Sequence, residues 1–328
     1  DLVILGMHAK KDNPELQKAL LLNIPIVSFP EFMFNKAKNK KRVVISGSHG
    51  KTTITSMIMH VLKNENIKFD YLVGSYLDGF DTTLDFFDDS QIAIYEGDEY
   101  LSSALDQRPK FHVYKPHIAV INGIAWDHAN VFHDFEIYKM QFIEFLNCIE
   151  EEGIAIYNET DENVKNIVEK TVRKITRIPY NIHPHFYKKG ICYLTKNGKK
   201  YPLNIFGSHN MINISAALQV CRSLGIDEEQ FYKHISTFKG AKKRLQLIAK
   251  SKTINLFFDF AHSPSKLKAT IKAVKELFPE HKLIAVFELY TYSSLNKEFL
   301  SEYKNSMWDA DIPVVFYLPE NHIKKNLE

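Results

Sequence analysis

Apolar residues in this chain cluster in short unbroken runs that end in polar residues. The clearest are residues 43–46, 92–95, 118–121 and 154–157, reading Val-Val-Ile-Ser, Ile-Ala-Ile-Tyr, Ile-Ala-Val-Ile and Ile-Ala-Ile-Tyr. Runs this short and this apolar predict strands buried on both faces. Helical spacing between several of them predicts crossover helices, and the two together predict an α/β fold with a parallel sheet. Residues 1–40 repeat the pattern on a smaller scale. A strand is expected over 2–5, a helix from Asn13-Pro14-Glu15 carrying Leu16, Ala19, Leu20 and Leu21, and a strand over 24–27. That is about one βαβ unit, too small to stand alone. Asn197-Gly198 between apolar runs predicts a hairpin over 191–205. Gly207-Ser208-His209-Asn210 then leads into a helix. A further α/β pattern starts near Gly240, with a strand over 254–258 ending in Asp259. Ser263-Pro264 opens a helix, and a strand over 283–287 ends in Glu288.

The run at 43–46 passes into Gly47-Ser48-His49-Gly50-Lys51-Thr52-Thr53 and then a helix with Ile54, Met57, Ile58, Val61 and Leu62 on one face. Strand, glycine turn, Lys-Thr and helix together make a phosphate cradle. Glycines let backbone N–H groups approach an anion, and the helix start adds positive potential. Lys51 adds a charge that is expected to face solvent, and Thr52 offers a hydroxyl to Mg²⁺. The spacing departs from the common P-loop pattern, because Ile45 stands where its first glycine would be. Ligands of parallel sheets gather beyond the C-terminal strand ends. The residues there are this loop, Glu96-Gly97-Asp98-Glu99-Tyr100, residues 122–128, Asn158 and Asp161, and they are expected to share one cleft.

With 328 residues, two or three domains are expected. Hydrophobic residues at 45% and charged residues at 25% describe an ordinary globular protein. A net charge of +3 gives no electrostatic case for nucleic acid. The basic run over 36–42 reads as a solvated linker. Cys148, Cys192 and Cys221 lack metal or redox spacing and read as buried thiols of a reducing, cytoplasmic compartment. No apolar run reaches the ~18 residues a membrane span needs, and no signal peptide is visible. The chain starts at Asp1 with a strand already under way, so it is expected to begin inside a domain and to stop inside one.

The motifs, in their order, resemble the Mur ligases, the ATP-dependent amide ligases of peptidoglycan precursor synthesis. They are Gly47 to Thr53, Glu96-Gly-Asp-Glu99, Asn122 with Asp127-His128, His209-Asn210-Met-Ile-Asn213, Lys243-Arg244, and Asp259-Phe-Ala-His262-Ser-Pro264. The resemblance is greatest to the UDP-N-acetylmuramate branch. Tyr100 and the stretch Asp106-Gln-Arg108-Pro-Lys110-Phe111 resemble the recycling ligases that attach L-alanyl-γ-D-glutamyl-meso-diaminopimelate. The alternatives are the L-alanine-adding ligase and a folylpolyglutamate-type ligase. A different P-loop enzyme, or a nucleotide-binding module without activity, also stays open. Ser263, in place of the usual His or Asn, and Gln246, in place of the usual Glu, depart from the family pattern.

The resemblance implies three domains, divided here as 1–40, 41–238 and 239–328, with the first and third incomplete. It implies ATP and Mg²⁺, and a UDP-N-acetylmuramate carboxylate joined through an acyl phosphate to a peptide or amino-acid amine. The cradle residues Gly47, Ser48, His49, Gly50, Lys51, Thr52 and Thr53 would hold ATP, with His209, Asn210, Arg244, Asp259 and His262. Lys51, Glu96, His128 and Arg244 would carry the chemistry. Thr52, Glu96 and His128 would bind Mg²⁺, and Asn13, Asp98, Tyr100, Arg108 and Lys110 would meet substrate, Arg108 and Lys110 as cations for the extra carboxylates of a peptide amine. Neither nucleic acid nor membrane is an expected partner, and the expected state is a monomer or weak dimer.

Overall fold

The computed structural model describes residues 1–126, 132, 134–291, 293–295, 297 and 299–318. At the N-terminus β1 (Val3–Leu5), α1 (Pro14–Leu21) and β2 (Ile26–Ser28) form the expected βαβ unit, its two strands parallel. A further helix, α2 (Phe29–Lys36), follows at once. Ser28 and Glu31 cap it reciprocally, and a proline sits in its first turn.

The centre of the molecule is a sheet of seven strands. They are β3 (Lys41–Ser46), β4 (Asp70–Leu72), β5 (Leu84–Asp85), β6 (Ile92–Glu96), β7 (Ile118–Ile121), β8 (Ile154–Asn158) and β9 (Thr176–Tyr180). Their order is β5-β4-β6-β3-β7-β8-β9. Every pair is parallel except β5 on β4. The helices interleaved with them are α3 (Lys51–Asn64), α4 (Lys110–Val113), α5 (Phe135–Asn147) and α6 (Glu162–Lys170). Successive strand residues point to opposite faces. Val43, Ile45, Ile94, Val120 and Ile156 pack with α3, while Val44, Tyr95, Ala119 and Ile121 pack with Tyr138, Phe142 and Phe145 of α5. Both faces are therefore core, which is why these strands carry no polar alternation.

An antiparallel sheet follows, of β10 (His185–Lys188), β11 (Ile191–Lys196) and β12 (Lys199–Leu203). Its hairpin turn holds Asn197 and Gly198 at φ of 49° and 75°, the pair of positive angles such a turn needs. Next come α7 (Ser208–Ser223) and α8 (Glu228–Ile235). Helix α7 packs on α3. As a result α3, expected to bury one face, is buried over most of its surface, including Thr52, Thr53, Thr55 and Ser56. The last part holds β13 (Gln246–Lys250), β14 (Asn255–Phe258), α9 (Pro264–Leu277), β15 (Ile284–Leu289) and β16 (Ile312–Tyr317). β14 pairs antiparallel with β13, and β15 pairs parallel with β16. Cys192 and Cys221 are buried free thiols, as expected, and Cys148 is only half-buried. Burial pushes the Cys192 thiol up to about 12. Among the described residues no helix is long and apolar enough to cross a membrane.

The basic run over 36–42 is not a solvated linker throughout. Lys40 pairs with the buried carboxylate of Asp70 at 2.8 Å. Arg42 is 2% exposed. Its guanidinium donates to the carbonyls of Tyr114, Lys115, Ala37, Lys38 and Lys40, and to Glu150 at 2.7 Å. One side chain thus ties the entry of β3 to the segments before β7. Arg42→Ala should lower stability by about 3 kcal/mol, because several buried carbonyls lose their donor. Glu150→Ala, at the exposed end of the pair, should cost less than about 1 kcal/mol. Urea unfolding of the two variants checks this, and equal losses would refute it.

Candidate functional site

The site begins where β3 ends. Ser46 Oγ donates to the Val120 carbonyl at 2.7 Å, fixing the strand end against β7. The chain then turns at Gly47, φ 120°, and Gly50, φ 76°. Both turns are crowded as well as left-handed. A Cβ on Gly47 would lie 2.9 Å from the Asn122 and Gly123 nitrogens, and one on Gly50 would lie 2.3 Å from Asn213 Oδ1 and 2.4 Å from Asn122 Nδ2. Helix α3 starts at Lys51 with no side-chain cap, which leaves its first amides for an anion.

Lys51 Nζ donates to the Gly47 carbonyl at 2.8 Å and to both carboxylate oxygens of Glu99, at 2.9 and 2.7 Å. Lys51 is thus largely buried, contrary to the expected solvent-facing side chain. Its partner Glu99 is fully buried. Burial works against the ammonium charge. The carboxylates of Glu99, Asp98 and Glu96 outweigh it and hold Lys51 above its ordinary value.

Thr52 Oγ1 donates to Glu96 Oε1 at 2.8 Å, and Glu96 Oε2 accepts from the Gly74 amide at 2.7 Å. From the far wall Arg244 reaches Thr52 Oγ1 at 3.5 Å, with its guanidinium 5.4 Å from the Phe260 ring centre. His49 Nε2 and Ser265 Oγ, 3.0 Å apart, make a second tie across.

These groups line one cleft of about 520 Å³. Among the sequence candidates, Ser48, His49, Gly50, Lys51, Thr52, Thr53, Glu96, His209, Asn210, Arg244 and Asp259 all border it, as do Asn122, Asn158 and Asp161. Burial pushes the His209 imidazole below its ordinary value, with Asp259 opposing. Asn210 does not cap α7. Its amide donates to the Phe206 carbonyl at 2.7 Å, and Gly207 is the cap residue. Thr160, Glu162, Lys266 and Thr270 also line the cleft and were not anticipated. Their only sequence signal is position: Thr160 follows a strand, Glu162 and Lys266 sit in the first turn of a helix, and Thr270 lies one turn further along α9.

Other candidates are placed elsewhere. Asn13 caps α1, its side chain accepting from the Leu16 amide at 3.0 Å. Arg108 is turned back onto Asp106, with Nη2 2.7 Å from Oδ2. Lys110 is 2.8 Å from Asp98 Oδ2. Burial opposes the Asp98 charge, and the ammonium groups of Lys110 and Lys51 overcome it and hold the carboxyl below its ordinary value. Tyr100 N–H donates to Asp98 Oδ1 at 3.3 Å. None of these five residues borders the cleft. Neither does His262, whose Nδ1 donates to the Phe260 carbonyl at 3.0 Å. His128 and Asp127 lie outside the described residues.

Among the described residues no group of three or more His, Cys, Asp or Glu side chains could hold a metal by itself. The Thr52 hydroxyl and Glu96 carboxylate, side by side, are still the oxygen donors Mg²⁺ takes when phosphates and waters complete its shell. The residues fit the ion.

The fold and site define a parallel-sheet α/β protein with a glycine-turn anion cradle at the sheet's centre. Residues 45–221 match the model of the Mur ligase middle domain, and residues 243–321 match that of the Mur ligase, glutamate ligase domain. The chain belongs to the Mur ligase family, whose members are ATP-dependent ligases that form peptide bonds. A UDP-N-acetylmuramate–L-alanine ligase of Caldicellulosiruptor bescii is 32% identical over 326 residues, 95% of this chain and 70% of that protein. Seven further bacterial relatives, 29% to 32% identical, carry the same description. The chain spans 65% to 70% of the length of these relatives. The crystal structure of the Thermotoga maritima UDP-N-acetylmuramate–alanine ligase matches with a TM-score of 0.73 at 20% identity, over 99% of this chain and 73% of that one. A murein peptide ligase of Psychrobacter arcticus matches with a TM-score of 0.68 at 20% identity, over 99% and 79%. At that identity both show the fold alone.

The crowding at Gly50 separates backbone angle from contact. Gly198 has nearly the same φ, 75°, but open space around it. Gly198→Ala should cost about 1 kcal/mol, the strain of the left-handed angle. Gly50→Ala should cost about 3 kcal/mol, since Asn122 and Asn213 must also give way. Equal losses in thermal unfolding would show that the loop is not packed this tightly.

Proposed function

We propose that this chain carries the ATP site of a UDP-N-acetylmuramate–L-alanine ligase, spread over an ATP-binding domain (41–238) and a ligase domain (239–328), with 1–40 ending a UDP-sugar domain. The observation that carries the ATP reading is the convergence of Lys51, Thr52, Glu96 and Arg244 on one cleft. The chemistry proposed needs no nucleophile from the protein. The sugar's lactyl carboxylate attacks the γ-phosphate of ATP, ADP leaves, and the amine displaces phosphate from the acyl phosphate to give the amide. The protein's task is to position the reactants and to spread phosphate charge.

In this reading the cradle amides hold the phosphates, and Lys51 leaves or shares Glu99 to meet the β- and γ-oxygens. Arg244 meets the γ-phosphate from the opposite wall. His209 and Asn210 border the adenine end, and Asp259 the ribose side. Thr52 and Glu96 would hold Mg²⁺, which supplies charge neutralisation at the phosphates.

The choice of amine departs from the tripeptide suggested by the sequence. That expectation needed Arg108 and Lys110 as cations for the extra carboxylates of a peptide. Asp106 and Asp98 already hold them, and neither borders the cleft. The relatives' descriptions favour L-alanine as well.

Glu96→Gln keeps shape and removes the charge. The Mg²⁺ concentration for half-maximal activity should rise about tenfold or more. An unmoved Mg²⁺ titration would remove Glu96 from the metal site. For the amine, the full-length protein should use free L-alanine at least about tenfold faster than L-alanyl-γ-D-glutamyl-meso-diaminopimelate when the two compete for UDP-N-acetylmuramate. Preference for the tripeptide would reverse the assignment and leave the ATP chemistry standing.

A further inference from the structure

Asn122 stands at the C-terminal end of β7 and is 7% exposed. Its Nδ2 donates to the His49 carbonyl and to Asn213 Oδ1, each at 3.0 Å. Its backbone carbonyl accepts from Asn158 Nδ2 at 3.0 Å. A carbonyl only accepts, so the nitrogen of the Asn122 amide must face His49. That leaves Oδ1 facing Tyr180, whose hydroxyl donates to it at 2.6 Å.

Tyr180 ends β9, the edge strand of the central sheet. It is 4% exposed and packs in the core cluster shared with α3 and α7. It does not border the cleft. Burial holds its phenol well above the ordinary value, so the hydroxyl stays a donor at any working pH. The chain of bonds runs from the sheet edge through Asn122 to the phosphate loop and to α7. It acts on a loop with no slack, since a Cβ on Gly50 would meet the same two amides at 2.3 and 2.4 Å.

We propose that Tyr180 is a positioning residue: its hydroxyl locks the Asn122 amide in the one orientation that holds the phosphate loop against the start of α7. Without that donor, Oδ1 is left buried and unpaired. The flipped amide would then set its oxygen against the His49 carbonyl and Asn213 Oδ1. Tyr180 acts on a nucleotide only through Asn122, and that consequence rests on the reading of the cleft as an ATP site.

Tyr180→Phe tests this, because it removes one oxygen and keeps the ring. In the nucleotide-free protein, amides of residues 47–53 should exchange hydrogen about tenfold faster. Those of α5, on the opposite face of the sheet, should not change. With substrates, the KM for ATP should rise about tenfold, while kcat and the KM for UDP-N-acetylmuramate stay within about twofold. Asn213→Ala combined with Tyr180→Phe should loosen the loop by less than the sum of the two, since both act on one amide. Unchanged loop exchange, or equal acceleration in α5, would overturn the proposal. If the wild-type protein bound no ATP, the functional reading would fall, and the exchange comparison would still decide the role of Tyr180.

Discussion

The phosphate loop has to remain open to an anion on one side while being packed without a gap on the other. That constraint accounts for most of what surrounds it. Side chains are excluded at Gly47 and Gly50 because strand-end amides and the Asn122–Asn213 pair already fill the space. The end of β7 must lie beside β3 to supply those groups, so β3 sits in the middle of the sheet. Helix α7 must lie against α3 to bring Asn213, and that contact buries a helix an isolated cradle would leave half exposed.

The charges follow the same logic. Lys51 cannot wait in the site as a bare buried cation, because desolvation would drive off its proton. Fully buried Glu99 prevents that, and Lys110 in turn offsets Asp98 next to it. The acidic stretch after β6 is therefore a set of paired charges rather than a solvated turn. An incoming phosphate finds a lysine already charged and already close, and has to compete with one carboxylate for it. Lys51 is thus a structural ion as well as a phosphate ligand. Its removal takes an ammonium away from a fully buried carboxylate.

The fold was legible where burial is two-sided. Strands β3, β6, β7 and β8 announce themselves because both their faces are core. Strands β9 and β13 do not, being mostly exposed and mixed in character. The cleft was legible because strand ends are readable and parallel sheets put ligands there. What sequence could not give was the partner of a charge. Arg108 and Lys110 read as open cations, and the carboxylates that hold them became visible only once the loop was folded. Tyr180 was hidden for a related reason. It lies 58 residues from Asn122 at the end of a polar edge strand, and no periodicity links the two.

Arg244 shows the site's remaining demand, a cation brought from outside the central sheet. Lys243 and Leu245 on either side of it have φ of 61° and 44°, angles that side chains rarely adopt. Such angles persist only when neighbours over-determine them, at roughly 1–3 kcal/mol each. The neighbours are identifiable. Gln246 Oε1 accepts from the Lys243 amide at 3.1 Å, and the Lys243 carbonyl accepts from the Phe260 amide at 2.9 Å. Phe260 also lies under the guanidinium. Gln246, one of the two departures from the family pattern, thus keeps the bond that an acidic residue could make, because only an acceptor oxygen is needed there. Ser263, the other departure, makes no such replacement: its hydroxyl is buried with no partner among the described residues, and it gives α9 no side-chain cap. The two departures differ because the turn that aims Arg244 needs an acceptor at position 246, whereas α9 forms without a hydrogen bond from position 263.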